Sequence, residues 1–195
     1  MPWYRIRPTA ASWRVLASTL ALVSAIPADA AAVQVQPASA PRWNPKAPEN
    51  TQLLPSFSYA TIEPVLAAIG ARGQRGGAPG KPALAVTFAN GRRAVLQLSS
   101  CDPALTGCKA LSVQSYWTRI ANSPPERTAQ AIQNFNQRYA FAKAFIAPDG
   151  RPALQRYLTA DYGFIRGDLA VNLLVFAQQA DQFATTVLGP LEARR

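Results

Sequence analysis

From Ala83 onward the apolar residues fall at every second position. Leu84, Val86 and Phe88 alternate with small or polar residues, Asn90-Gly91 follows, and Ala94, Leu96 and Leu98 line one face of a returning segment. A period of two around an Asn-Gly pair predicts a β-hairpin. In "ALSVQSYW" the same period puts Leu111, Val113, Ser115 and Trp117 on one face of a third strand. Elsewhere the period is helical. In "SYATIEPVLAAIG", Ile62, Val65, Leu66 and Ile69 share a face, Thr61 can cap, Pro64 falls in the tolerant first turn and Gly70 ends the helix. Ser123-Pro124-Pro125-Glu126 has capping-box spacing and opens a second helix with Ala129, Ile132, Phe135 and Tyr139 as its stripe. "AFAKAFIAPDGRPALQRYL" predicts two strands around Pro148-Asp149-Gly150-Arg151. Leu169, Leu173, Phe176, Ala180, Phe183 and Val187 then mark a long amphipathic helix, with Gly189-Pro190 as its stop. The order α-β-β-β-α-β-β-α predicts an α+β domain over 58–190, helices packed on an antiparallel sheet.

The flanks read differently. Residues 1–32 run from Arg5, Arg7 and Arg14 through the apolar stretch Val15–Ile26 to small residues around Ala28-Asp29-Ala30, the order of a secretory signal peptide. The apolar stretch is too short for a spanning helix, which needs roughly 20 residues. The sequence therefore predicts export, to the periplasm or medium, with cleavage near Ala30 or Ala32 and no transmembrane segment in the mature chain. Residues 33–57 carry prolines at 37, 41, 45, 48 and 55 with little periodicity and read as a Pro-rich disordered tether. The Gly/Pro-rich stretch 71–82 reads as a loop.

Export bears on the chain's two cysteines. Thiols in an oxidising compartment tend to pair, and Cys101 and Cys108 leave none over. Their six-residue spacing is not that of a Cys-x-x-Cys redox site. The chain has no histidine, so a zinc set would lack its usual members. The reading is a structural disulfide, with no metal and no cofactor. The net charge of +10 falls to +8 when residues 1–30, with three arginines and Asp29, are removed. An exported chain of that charge is drawn weakly to anionic surfaces and acidic proteins rather than to nucleic acid. The cations need not form one patch. Arg72, Arg75 and Lys81 precede the first predicted strand, and Arg92 and Arg93 follow its far end, roughly 20 Å away.

No nucleophile–base pair is suggested by spacing, and no catalytic residue is assigned. Asp149 reads as a turn former, Asp102 as a polar loop residue, and Asp161 and Asp168 as loop and helix-start residues. Tyr116, Trp117, Phe135, Tyr139 and Phe141 read as core. Asn136, beside the apolar stripe, reads as a structural asparagine that hydrogen-bonds toward the sheet.

"VLQLSSCDPALTGCKALSVQSYW", "AIQNFNQRYAFAKAFIAPDGRPALQRYL", Gly163 and a closing amphipathic helix with Phe183 together resemble the YbjN-like family in its exported, two-cysteine form. Where similar proteins often read Asn-x-Trp-Asn, this chain has Gln133-Asn134-Phe135-Asn136. Tyr157 stands where many carry an acidic residue. The resemblance implies a fold like that of type III secretion chaperones and a role as a sensory transduction regulator. The function expected is that of a non-enzymatic, chaperone-like or regulatory binding protein of the cell envelope. A small envelope enzyme with a carboxylate- or tyrosine-based site is the alternative. The resemblance also implies self-pairing as a homodimer. A tethered domain without a catalytic set, taken with that resemblance, points to an envelope protein partner, and Trp117, Asn136 and Arg138 are the candidate interaction residues.

Overall fold

The computed structural model describes residues 43–193 apart from Asn122; the segment read as a signal peptide and the first part of the tether lie outside the described residues. A six-stranded antiparallel sheet carries the domain. Its strands are β2 (Arg72–Ala78), β3 (Lys81–Thr87), β4 (Arg93–Cys101), β5 (Cys108–Tyr116), β6 (Lys143–Ile146) and β7 (Pro152–Thr159), in the spatial order β2-β3-β4-β5-β7-β6. Helices α1 (Tyr59–Ala68), α2 (Pro125–Arg138) and α3 (Arg166–Phe183) complete the α+β fold. A two-stranded sheet pairs β1 (Leu53–Leu54) with β8 (Phe164–Ile165).

The alternation decides which face is covered. Leu84 and Val86 on β3, Leu96 and Leu98 on β4, Leu111 and Val113 on β5, and Leu154 on β7 are buried in one cluster with Ile62, Phe135, Leu169, Leu173, Phe176 and Phe183 of the helices. Their neighbours in sequence point the other way, where Thr87, Val95, Gln97, Ser99, Tyr157 and Thr159 are exposed. No described helix packs on that second face.

Five local expectations are corrected. The stretch 71–82 is not a loop: Arg72–Ala78 pairs along its whole length with β3, from Arg72↔Thr87 to Ala78↔Lys81. Every residue of β2 is exposed, so it lacks the apolar alternation that marks a half-buried strand. Gly77 holds φ +105 there, where a Cβ would strike the Lys81 carbonyl oxygen at 2.1 Å. The tether reading fails from Trp43 to Phe57. Pro48–Thr51 forms a 3-10 turn, Leu53–Leu54 forms β1, and Phe57 is fully buried, exchanging backbone hydrogen bonds with Cys108. Asn50 packs closely on the first turn of α3 because Gly167 presents no Cβ; one there would sit 2.9 Å from the Asn50 carbonyl oxygen.

The other three corrections concern helix ends. Ser58, not Thr61, caps α1: its Oγ accepts from the Thr61 N–H, and Thr61 Oγ1 accepts from the Ser58 N–H in a reciprocal box. Pro124, not Ser123, occupies the cap of α2, without a side-chain cap bond, and Thr128 rather than Ala129 is buried on its inner face. Gly189-Pro190 does not stop the last helix. A π turn over Ala184–Leu188 widens the backbone, and Pro190 enters a short helix, α4 (Gly189–Glu192). The wider turn rotates Leu188 into the core where regular spacing would have put Val187.

Candidate functional site

The uncovered face carries a polar rail that leads to one end of the sheet. Gln155 Nε2 and Gln114 Nε2 both donate to Ser112 Oγ at 2.8 Å, and the Tyr116 hydroxyl donates to Gln114 Oε1 at 2.6 Å. These bonds fix the Tyr116 ring, over which the Arg151 guanidinium sits 4.8 Å from the centroid. Asp149 holds Arg151 from the turn, accepting from its Nε at 2.7 Å. The Arg151 backbone N–H and then its side chain keep the Asp149 carboxyl below the ordinary aspartate range.

The strand that the sequence concealed completes the site. Because β2 folds back along β3, Arg72 stands opposite Thr87, which in turn stands opposite Arg93 on β4. Arg72, Thr87 and Arg93 thus form a row across three strands. With Gln74, Tyr116 and Arg151 they line a groove of about 560 Å³. The cations that the sequence leaves unassigned to one patch thus divide: Arg72 and Arg93 share this groove. Arg75 goes to the covered face, with a bidentate pair to Glu63 at 2.6 and 2.7 Å, which keeps the Glu63 carboxyl low. Arg92 pairs with Asp181 of α3 at 2.7 Å. Among the described residues Arg72 and Arg93 have no ion-pair partner.

The candidate interaction residues do not come together. Trp117 is partly buried and packs edge-on against Phe183, ring centroids 5.1 Å apart. Asn136 is a clamp: its Nδ2 donates to the Ala144 carbonyl at 2.9 Å and its Oδ1 accepts from the Ala144 N–H at 2.8 Å. Both Ala144 groups face away from β7, so Asn136 shields the outer edge of β6. Arg138, exposed on α2, borders a second groove of about 550 Å³ with Arg127, Tyr139 and Gln182.

Cys101 and Cys108 are cross-strand partners at the turn end of the β4–β5 hairpin, sulfurs 2.09 Å apart. In the loop they close, the Thr106 N–H and hydroxyl donate to the two Asp102 carboxylate oxygens, at 2.9 and 2.8 Å. Those bonds, the backbone one foremost, hold the Asp102 carboxyl below its ordinary value. Glu63, Asp102 and Asp149 are thus all shifted toward the ionised form, the direction of structural pairing rather than of an acid tuned to neutral pH. Among the described residues no His, Cys, Asp and Glu side chains gather as a potential metal site, and no helix is long and apolar enough to cross a membrane.

A one-sided antiparallel sheet backed by three helices, with a basic groove on its bare face, defines an α+β domain suited to binding. The model of the YbjN family, described as "Putative bacterial sensory transduction regulator", matches residues 58–189, and the chain belongs to that family. No curated protein matches the chain. The family description names regulation and no reaction.

Proposed function

We propose that this protein is a non-enzymatic regulator of the cell envelope that acts by holding a protein partner on the uncovered face of its sheet. The observation that carries the reading is the sheet itself: one face is filled by helices, and among the described residues the other is open over the same strands. Val95 and Tyr157, 41% and 55% exposed, stand on the open face with Tyr116. Flat surfaces with fixed aromatic and arginine side chains supply the anchors on which protein interfaces depend. The order of charge, apolar run and small residues in 1–32 supports export, and export supports a disulfide at Cys101–Cys108 in the mature protein.

Photo-crosslinking residues placed at Val95 or Tyr157 in intact cells should capture the same protein repeatedly. The same residue at Gln133, exposed on α2, should not. Equal capture from both positions, or none, would remove the reading. Intact mass from the producing cell tests export: loss of residues up to Ala30–Ala32 is expected, and a retained Met1 would refute it.

A further inference from the structure

We propose that the groove at the Arg72 end of the uncovered face binds an acidic stretch of a protein partner, its carboxylates taken by Arg72, Arg93 and Arg151. The proposal rests on the partner-binding reading above and names the chemistry of the partner. All three cations are arginines and all are exposed. The guanidinium fork matches a carboxylate better than an ammonium does. Arg151 is oriented by Tyr116 and Asp149, whereas Arg72 and Arg93 lack ion-pair partners among the described residues.

Spacing selects the kind of anion. Arg72 lies on β2, Arg93 two strands away on β4, and Arg151 immediately before β7, two strands further. At roughly 4.8 Å between strands the row extends about 19 Å. A single phosphate or carboxylate engages one member of such a row. An extended peptide with several acidic side chains engages all three, and Gln74, Gln114 and Thr87 offer polar groups to its backbone.

A second copy of this chain is a poor occupant. Its acidic residues are half as many as its basic ones, and no two are closer than the seven positions from Asp161 to Asp168. Glu49, Glu63, Asp149 and Asp181 are already paired with arginines. The groove's complement is a run of carboxylates that this chain does not contain.

The test uses the full chain as purified from its producing cell and a fluorescein-labelled run of about eight glutamates, long enough to span the row. Anisotropy should report binding that weakens about tenfold or more in Arg72→Gln/Arg93→Gln. It should change less than about twofold in Arg127→Gln/Arg138→Gln, which removes equal charge from the other groove. Equal losses in the two double variants would show that net charge alone is at work and overturn the proposal. So would inorganic phosphate or phosphatidylglycerol vesicles binding at this groove in preference to the peptide. Crosslinking from Val95 that still captures a partner in Arg72→Gln/Arg93→Gln overturns the groove and leaves the partner reading intact. Absence of capture in the unmodified protein overturns the partner reading itself.

Discussion

Leu111 and Ser112 are neighbours on β5 and look in opposite directions. Leu111 joins a cluster built from all three main helices, and its place depends on apolar bulk from many parts of the chain. Ser112 is nearly as well shielded, yet it is covered by Gln114 and Gln155, each held by one hydrogen bond to its hydroxyl. One face is thus held by summed burial, which no single residue dominates. The other is ordered by a few directed contacts, which leave Arg72 and Arg93 without ion-pair partners among the described residues. A strand with period two can serve both purposes because alternate side chains are independent of one another.

Breaking the covered face should have the largest effect. Phe176 is fully buried beside Phe88, and Phe176→Ala should destabilise the fold by about 3–5 kcal/mol in denaturant unfolding. A fully folded variant of near-normal midpoint would contradict the assignment of α3 to the core. Next comes the hairpin end that borders both faces. Replacing Cys101 and Cys108 together by Ser opens a loop of sequence separation 7 and should lower stability by about 2.5 kcal/mol on the chain-entropy account. Thiol titration of native, unreduced protein should find none; two titrated thiols would end this expectation.

A matched pair of substitutions sharpens the comparison further. Val113→Thr puts a hydroxyl into the covered core and should cost about 1–3 kcal/mol. Val95→Thr makes the identical change on the bare face of β4 and should stay within about 0.5 kcal/mol. Equal costs would mean that something covers both faces. The smallest effect concerns pH. Asp102 has its carboxyl lowered by Thr106, so its contribution is whole above the ordinary aspartate value and disappears as pH falls through the lowered one. Asp102→Asn should slightly lower stability at neutral pH and flatten the acid limb of a stability-versus-pH curve, so that the two proteins converge at low pH.

These contrasts also explain what could be read from the sequence. Leu84, Val86, Leu96 and Leu98 announce their strands because one face must be apolar. The strand β2 announces nothing, since a fully exposed edge needs no alternation, and its glycines imitate a loop. Leu54 and Phe57 are buried anchors on a stretch with five prolines, too sparse for any periodicity. The groove was hidden for the same reason as β2: without that strand, Arg72 and Arg93 belong to opposite ends of β3. Tyr116, read as core, is exposed, and Trp117, read as an interaction residue, packs on the core; they are one position apart, and one position exchanges faces. Trp117 went to Phe183 and Tyr116 to the groove. Asn136 was legible as structural because it lies beside the stripe of α2; which backbone it clamps depends on the sheet.

The bare strand β2 has a thermodynamic consequence of its own. It buries no residue, and its detachment from β3 forfeits backbone pairing and the exposed contacts of Arg75 and Gly76 with Glu63 and Tyr59 but no apolar core, so its docking equilibrium is shallow. Anything that grips Arg72 together with Arg93 must pull that equilibrium toward the docked state by RT ln(1 + [L]/Kd). Amide exchange in Arg72–Ala78 would then slow with occupancy while the centre of β5 stays as it was. The edge of this sheet would act as a clasp, fastened by the molecule it holds.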